Sequence, residues 1–545
     1  MRVKKKVHEK IVVETANMDG HAGQSVSIWM ATAAVPTFSA LTKSEHAEVC
    51  IVGAGIVGLT TAYLLARAGK SVVVLDDGPI VSGETERTTA HLCTTLDDRY
   101  FELERLHGAK GAQLAAQSHA AAIDEIERIV AEEKIDCDFE RLDGYLFVPP
   151  GESPDLLERE LAAAHRVGLN DVRMVAHSPL VSFDTGPALH FSRQAQFHPL
   201  KYLAALARAI IRDGGRIYTQ THATRIAGGN PARIETQDGP ALTAEAVVVA
   251  TNTPVNNLLA MHTKQSAYRT FAIGAIVPAG SISKGLYWDT LYPYHYIRLQ
   301  ALPAEPSSPT PSDLLIVGGE DHKTGQADDA EMRYARLEEW ARTRFPMMTE
   351  IKFRWSGQVM ESIDGLAFIG SNPLDDKNVY IATGDSGNGM TYGTIAGMLL
   401  TDLIQGRENV WASLYLPSRK TLGAVERFAN EAFNLATQYA HWLTIGNIPE
   451  NVAVPPGTGA IVRRGLSIVA AYCDEAGHMH ECSAVCPHLE GIVAWNQSEL
   501  TWDCPCHGSR FDKYGKVLNG PANTNLPSLE DGDGAVSNNL RSNIL

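Results

Sequence analysis

Two short segments near the C-terminal end of the chain combine cysteine with histidine. They are Cys486-Pro487-His488 and Cys504-Pro505-Cys506-His507, and fifteen residues separate His488 from Cys504. In a Rieske [2Fe–2S] centre, two cysteines hold one iron and two histidines hold the other. The order of the four residues predicts such a centre, and therefore a one-electron carrier. The predicted ligands are Cys486, His488, Cys504 and His507.

A mononuclear zinc site with two cysteines and two histidines is the alternative. Zinc modules usually pair cysteine with cysteine and histidine with histidine at short spacing. Here each segment mixes the two residue types, which favours the two-iron centre.

A second pattern lies near residue 50. An apolar run at 49–52 enters Gly53-x-Gly55-x-x-Gly58, a helical pattern follows, and a second apolar run at 72–75 ends at Asp76. The first two glycines permit a tight turn and a close approach to a pyrophosphate, and the third permits close packing of helix on strand. Asp76 is placed to accept a hydrogen bond from a ribose hydroxyl. This pattern predicts a dinucleotide-binding βαβ unit.

A third pattern is a glycine-rich turn between a predicted strand and a predicted helix. Free N–H groups at such a turn favour an electron-rich ring edge, such as that of a reduced flavin. An ordinary packing turn is the alternative. The residues proposed to contact the cofactor are Gly384, Asp385, Gly387, Asn388, Gly389, Met390 and Thr391.

The elements that position these residues indicate several domains in 545 residues. We predict an N-terminal arm at 1–45, an α/β body at 46–435, a linker at 436–459 and a C-terminal module at 460–545. A net charge of −16 argues against nucleic acid or an anionic membrane as the main partner.

We expect neither a membrane span nor a signal peptide in this chain. No apolar run approaches the length of a membrane span, and no apolar segment follows the basic N-terminus. Five of the eight cysteines lie beyond residue 470, which is typical of a metal centre in a reducing compartment. We therefore expect a cytoplasmic protein without a membrane span.

Residues 46–435 resemble the D-amino-acid-oxidase and glycine-oxidase superfamily of FAD-dependent oxidoreductases. The resemblance rests on the glycine pattern, Asp76, the segments 355–357 and 364–370, and the turn at 384–391. With the C-terminal module, the chain is similar to bacterial flavin oxidoreductases fused to a Rieske domain. The resemblance implies a Rossmann-like FAD-binding domain interleaved with a β-rich substrate domain, followed by an all-β Rieske domain. It also implies FAD contacts at Arg87, Thr88 and Thr89.

The resemblance implies that a small amine or amino acid loses a hydride from a C–N bond to FAD. Candidate residues for this chemistry are Tyr294, Arg298, His322 and Lys264. Strand alternation places Tyr294 and Arg298 on one face, where Arg298 could pair with a substrate carboxylate. Each candidate has a structural alternative: a half-buried strand for the first two, a solvated turn for His322 and a surface site for Lys264.

The C-terminal module departs from high-potential Rieske proteins. Gly491 stands where they have an extra cysteine, and Phe511 stands where they have a tyrosine that donates to the cluster. Fewer donors predict a potential in the lower part of about −150 to +300 mV.

The combined pattern predicts an amine oxidation whose electrons leave singly through the cluster to an external acceptor such as a redox protein. By the resemblance, exposed histidine ligands are the expected exit. An NAD(P)H-driven reductase serving a partner oxygenase is the alternative, but no second dinucleotide fingerprint is present. A Rieske oxygenase would need an additional mononuclear iron site, and the chain lacks the usual histidine pair five residues apart.

Overall fold

The fold was analysed in a computed structural model that describes residues 22–256, 261–302, 311–440, 453–465 and 467–529. The helices are α1 Ile28–Thr32, α2 Ile56–Arg67, α3 Tyr100–Glu133, α4 Asp155–Arg166, α5 Pro199–Arg212, α6 Ala330–Arg344, α7 Gly389–Ile404, α8 Ala412–Tyr415 and α9 Val425–Ala440. Short 3-10 helices cover Glu84–Arg87, His262–Lys264 and Leu422–Ala424.

The strands of the body are β1 Glu45–Val52, β2 Val72–Leu75, β3 His91–Leu92, β4 Glu140–Phe147, β5 Arg173–Val175, β6 Ala188–Gln196, β7 Arg216–Tyr218, β8 Ala223–Ala227, β9 Ala232–Thr236, β10 Ala241–Val249, β11 Gln265–Pro278, β12 Leu286–Asp289, β13 His295–Ala301, β14 Ser312–Lys323, β15 Ile351–Ser362, β16 Phe368–Ser371 and β17 Val379–Thr383. Those of the C-terminal module are β18 Thr458–Arg464, β19 Ser467–Cys473, β20 Met479–Ser483, β21 Ala494–Asn496, β22 Thr501–Asp503, β23 Arg510–Asp512 and β24 Val517–Asn519.

The first sheet has the strand order β16-β17-β10-β1-β2-β7, with β8 and β9 beside β10. β1 pairs in parallel with both β2 and β10, and β10 pairs in parallel with β17. Continuous apolar runs form these strands because both faces of the parallel sheet are buried, one of them against helices and the other in a second apolar cluster. α2 packs against α5 and α7. This sheet is the predicted Rossmann-like unit.

The second sheet has the order β15-β11-β14-β13-β12-β4-β6-β3, with β5 beside β6. Most of its pairs are antiparallel, and α6 packs on β11 and β14. Its strands alternate along the chain with those of the first sheet. The predicted interleaving of the two domains is therefore confirmed.

The C-terminal module is all β, as predicted. It consists of the antiparallel sheets β18-β19-β20 and β21-β22-β23-β24. Trp502 and Phe511 fill its small core together with Cys486 and Cys504.

The chain ends outside these sheets were predicted as an arm and a linker. In the described part of the arm, Trp29 is fully buried and its indole N–H donates to the Thr88 carbonyl at 2.6 Å. Residues 1–21 of the arm and 441–452 of the linker lie outside the described residues. Within the described residues, no helix is long and apolar enough to cross a membrane.

Candidate functional site

A large cavity is lined by residues of both large sheets. Its first end is lined by the turn between β1 and α2 and by Asp76. A Cβ atom on Gly58 would lie 1.8 Å from the Gly53 carbonyl oxygen, and one on Gly53, whose φ is 107°, would lie 2.4 Å from the Ala250 carbonyl oxygen. Only glycine therefore permits this approach of helix and strands, as the dinucleotide fingerprint requires.

Asp76 closes the same end of the cavity. Its carboxylate accepts from the N–H of Ala54 at 2.6 Å and from the N–H of Gly78 at 2.9 Å. Burial, followed by the charge of Asp77, raises the pKa of Asp76 to about 7. The position fits a group that accepts a hydrogen bond from a ribose hydroxyl.

The other end of the cavity is formed by the predicted flavin turn. Asp385, Gly387, Asn388, Gly389 and Met390 line it, as do Thr88 and Thr89. α7 begins at Gly389, so its free N–H groups face this end.

Two predicted members of the turn do not line the cavity. Thr391 forms a hydrogen bond with Nδ1 of His119 at 2.9 Å. Gly384, with φ 74°, lies against the Phe368 ring and the Gln265 side chain. These two residues support the turn on the side that faces away from the cavity.

Arg87 borders the cavity, but its guanidinium serves another contact. It donates to the carbonyl of Gly23 at 2.8 Å, to the hydroxyl of Ser25 at 2.8 Å and to the Glu499 carboxylate at 3.3 Å. The predicted FAD contact at Arg87 stays a prediction, and it would have to be made by other atoms of the residue, because the guanidinium joins the body to the C-terminal module.

Between the flavin turn and β13 the cavity is aromatic and acidic. Tyr294, Tyr296 and Trp288 form part of the wall, and Asp97, Asp321 and Glu361 reach the same space. Of these six residues, only Tyr294 is among the catalytic candidates predicted from sequence. The Tyr294 hydroxyl hydrogen bonds with Asp97 and Asp321.

Arg298 does not reach this space. It is fully buried and donates to the carbonyls of Thr89 at 3.1 Å, Ala90 at 2.9 Å and Phe197 at 3.3 Å, and to the Gln300 side chain at 2.7 Å. The predicted pairing of Arg298 with a substrate carboxylate is therefore not supported, because both terminal nitrogens of the guanidinium already have backbone or amide partners.

Lys264 and His322 are also placed away from the cavity. The Lys264 ammonium donates to the carbonyls of Pro417 at 2.8 Å and Arg419 at 3.1 Å. The His322 ring stacks on Phe271, and burial, followed by Arg333 and Arg269, lowers its pKa to about 4. Neither residue is placed to contact a substrate, so both predictions need correction.

The four predicted cluster ligands meet at one end of the C-terminal module. The Cys486 and Cys504 thiols lie within hydrogen-bonding distance of each other, and the centroids of the His488 and His507 rings are 5.0 Å apart. Two backbone turns present them: the Cys486 N–H donates to the Gly491 carbonyl, and the Cys504 N–H donates to the Ser509 carbonyl, each at 2.8 Å.

This arrangement fits a two-iron cluster. Nδ1 of His507 is buried and has no hydrogen-bond partner among the described residues, as expected of a nitrogen that ligates a metal. Within the same residues, no three His, Cys, Asp or Glu side chains converge to hold a single ion. Each iron of a Rieske centre needs only two protein ligands, whereas a zinc site needs four.

The surroundings of the histidine ligands differ from the expectation. His488 and His507 are only 7% and 5% exposed, and both contact His262 of the body at ring distances of 4.7 and 6.0 Å. The predicted exit through exposed histidines is therefore wrong, because the histidine edge is buried against the body.

Two glutamines connect the cavity region with the cluster region. Gln358 lines the cavity, and its Nε2 donates to the carbonyl of Gly508, next to His507, at 3.0 Å. Gln265 accepts from the Thr383 hydroxyl at 2.9 Å, beside the flavin turn, and shares a small cleft with His262 and His507. Gly508 has φ 79°, and a Cβ there would lie 2.3 Å from the Ala267 side chain.

Residues 48–403 match the family model for FAD dependent oxidoreductases, and residues 447–530 match the model for the Rieske [2Fe-2S] domain. The chain belongs to the FAD-dependent oxidoreductase family. This oxidoreductase is 31% identical, over 92% of its length and 97% of the relative, to YhfW of Bacillus subtilis, described as a Rieske 2Fe-2S iron-sulfur protein.

Further likeness concerns the flavin part of this oxidoreductase. It is 27% identical to the gamma-glutamylputrescine oxidoreductase of Escherichia coli over 68% of the chain and 86% of the relative. Its fold matches the crystal structure of glycine oxidase from Geobacillus kaustophilus with a TM-score of 0.55 and 20% identity, covering 69% of this chain and all of the other. At that identity the match shows the fold alone.

In this FAD-dependent oxidoreductase, bound FAD supplies a hydride acceptor and the [2Fe–2S] cluster supplies a one-electron carrier. The β1–α2 turn and the 384–391 turn would hold the dinucleotide, and aromatic side chains line the space beside the second turn. Asp97, Asp321 and Glu361 were missed from sequence because they lie in three segments with no shared motif.

Proposed function

We propose that the protein oxidises the C–N bond of a small amine, with FAD as hydride acceptor. The electrons then pass singly through the Rieske cluster to an external one-electron acceptor, such as a redox protein. The imine product is hydrolysed by water to a carbonyl compound and an amine or ammonia.

The observation that carries this proposal is the contact between the cluster ligands and the flavin side of the body. His488 and His507 pack on His262, and Gln358 reaches from the cavity wall to the neighbour of His507. A cluster used only for structure would not need its histidine edge beside the flavin turn.

The choice of an amine is supported by relatives whose printed names describe such chemistry, namely a glycine oxidase and a gamma-glutamylputrescine oxidoreductase. All eight cysteines lie in the described part of the chain and none forms a disulfide there, which is in keeping with a reducing compartment such as the cytoplasm.

The experiment compares Cys486→Ser with Cys506→Ser. Cys486 is a predicted ligand, whereas Cys506 carries the same thiol two residues from Cys504 without being one. Flavin bleaching by amines, and separately by NADH and NADPH, is followed anaerobically. Reduction of ferricyanide and of cytochrome c is measured in parallel, together with the FAD and iron content of each variant.

We expect Cys486→Ser to retain FAD and its bleaching by amine, and to reduce the external acceptors at least tenfold more slowly. Cys506→Ser keeps all four predicted ligands, so it should retain the cluster and change the rate of acceptor reduction less than threefold, even though the Cys506 thiol hydrogen bonds with Cys504. Equal rates of acceptor reduction with and without the cluster would contradict the relay. Bleaching by NADH or NADPH but by no amine would replace the proposal with the reductase alternative.

A further inference from the structure

The cavity wall beside the flavin turn carries three carboxyl groups on separate elements. Asp97 follows β3, Asp321 is on β14 and Glu361 is on β15. The Asp97 carboxylate lies 2.2 Å from the position that a Cβ on Gly387 would occupy, so it packs directly on the flavin turn. Oδ1 of Asp321 is buried and has no hydrogen-bond partner among the described residues.

These three groups differ from their acidic neighbours in forming no ion pair, although Arg99 and Arg333 act on Asp97 and Asp321 from a greater distance. Asp98, next in the chain to Asp97, pairs with Arg427 at 2.9 Å, and Asp364 pairs with Arg419 at 2.6 Å. Within the described part of the chain, Asp97, Asp321 and Glu361 form no ion pair. Arg298 and Lys264, which could have supplied positive charge, are held by backbone carbonyls elsewhere.

The carboxyl groups also act on one another. Burial raises the pKa of Asp97 to about 7, with Asp98 and Asp321 adding to the effect, while Arg99 and the Tyr294 hydroxyl oppose it. Burial raises the pKa of Asp321 to about 6, against hydrogen bonds from Thr270 and Tyr294. Burial and the charges of Asp98, Asp97, Asp385 and Asp321 hold the pKa of Glu361 well above its usual range.

Such a cavity repels a carboxylate and attracts cations. We propose that the substrate is an alkyl diamine or polyamine that carries at least two amino groups and no carboxylate. Its ammonium groups would be bound by Asp97, Asp321 and Glu361, and the faces of Tyr294, Tyr296 and Trp288 would contact its alkyl chain and charge. This inference rests on the proposed amine oxidation and narrows its substrate.

The carboxyl groups of the cavity supply the base that the oxidation requires. One of the three carboxylates takes a proton from the ammonium on the reacting carbon, which leaves a neutral amine. That carbon then loses a hydride to FAD and becomes an iminium ion. Water converts the iminium to an aldehyde and ammonium, and the two electrons leave to the one-electron acceptor. The second ammonium group stays bound to the remaining carboxylates.

The test uses the FAD-loaded protein with its flavin reduced beforehand by dithionite, so that no probe is oxidised, and measures binding by isothermal titration calorimetry under anaerobic conditions at 4 °C. The probes are 1,4-diaminobutane and spermidine, with n-butylamine as the single cation and glycine and 4-aminobutanoate as the zwitterions. Asp321→Asn and Glu361→Gln are compared with Asp98→Asn, a matched variant whose carboxylate is paired outside the cavity. FAD absorbance reports whether each variant is folded.

We expect the diamine and the polyamine to bind at least tenfold more tightly than butylamine and the zwitterions. Asp321→Asn and Glu361→Gln should each weaken diamine binding about tenfold or more, since each removes a carboxyl group whose ionised form a bound ammonium group favours. Asp98→Asn should change it less than threefold. If the acidic variants lose FAD, the comparison among the five probes on the unchanged protein decides alone.

Tighter binding of glycine or 4-aminobutanoate than of 1,4-diaminobutane would overturn the cationic substrate, while bleaching by those amino acids would leave the proposed amine oxidation standing. Equal loss of diamine binding in Asp98→Asn and Asp321→Asn would also overturn it. The loss would then come from the long-range electrostatic effect of any nearby carboxylate and not from direct contact with the ligand. Bleaching by NADH or NADPH alone would overturn the proposed function itself.

Discussion

Glu499 connects the C-terminal module to the body through buried ion pairs. Removing its charge should lower the free energy of unfolding. It is fully buried and accepts from the Ser25 hydroxyl at 2.6 Å, from Arg87 at 3.3 Å and from Arg269 at 3.2 Å. Glu499→Gln keeps the shape of the side chain but leaves two buried guanidinium groups without their shared charge.

The expected loss in the free energy of unfolding follows from the shift in the pKa of Glu499. Burial raises the pKa of Glu499, but Arg87, Arg269 and Arg510 outweigh it and hold the pKa at about 2, against an ordinary value of 4.5. At 1.36 kcal/mol for each tenfold change in proton affinity, this difference corresponds to about 3 kcal/mol. That value agrees with about 3–5 kcal/mol for breaking a buried ion pair by removing one partner.

Because the pKa of Glu499 is lowered in the folded protein, its contribution to stability depends on pH. The stabilisation is fully present above about pH 4.5 and is lost as the pH falls through about 2. At pH 7, Glu499→Gln should therefore lower the thermal midpoint by several degrees, since about 1 kcal/mol shifts it by roughly 2–4 °C in larger domains. Differential scanning calorimetry of both proteins at pH 7 and at the lowest pH that preserves the fold measures this.

Glu475→Gln is the matched control, because Glu475 is an exposed glutamate of the same module. It should change the unfolding free energy by less than about 0.5 kcal/mol. A loss of less than about 1 kcal/mol in Glu499→Gln at pH 7, or a loss no larger than in Glu475→Gln, would refute the reasoning.

Three further outcomes are expected. Gly58→Ala should abolish FAD retention on purification, since its Cβ would lie 1.8 Å from the Gly53 carbonyl oxygen; normal flavin absorbance would contradict this. Ser509→Ala should lower the cluster midpoint potential in a redox titration, because the Ser509 hydroxyl hydrogen bonds with Cys486; an unchanged or raised potential would show that this donor has no effect on the cluster. The affinity for 1,4-diaminobutane should rise with pH between about 5.5 and 8, as Asp321 and Asp97, with pKa values of about 6 and 7, ionise; calorimetry showing a flat or opposite trend would contradict it.

Local patterns predicted the cofactor sites, because the residues that form each half of a site are close in sequence. Gly53, Gly55 and Gly58 lie in one turn, and the cluster ligands lie in two segments whose spacing reflects two facing loops. Their chemistry follows from residue type and order, so neither the tertiary packing nor the sheet order was needed to recognise them.

The residues around the substrate space were harder to predict. Alternation along a strand shows which face a side chain lies on, but it does not show which positions along the strand border the cavity. Alternation predicted one face for Tyr294, which immediately precedes β13, and for Arg298 within it; Tyr296 has the same parity. Only the tyrosines border the cavity, since Arg298 lies further along, under the carbonyls of Thr89 and Ala90. On β14 the same alternation turns Asp321 to the cavity and His322 away from it, and the sequence alone did not show which of the two would face inward.

The orientation of the C-terminal module depends on contacts that no single segment reveals. Arg87 lies in a stretch that predicted a cofactor contact, yet its guanidinium meets Gly23 and Ser25 of the N-terminal arm and Glu499 of the module. Buried charges tolerate few alternative arrangements, since any orientation that separates Arg87 from Glu499 leaves both unpaired at a cost of several kcal/mol. The one orientation that pairs them also places His488 and His507 against His262. We therefore expect the histidine edge to receive electrons from the flavin side, so that the external acceptor must approach another face of the module.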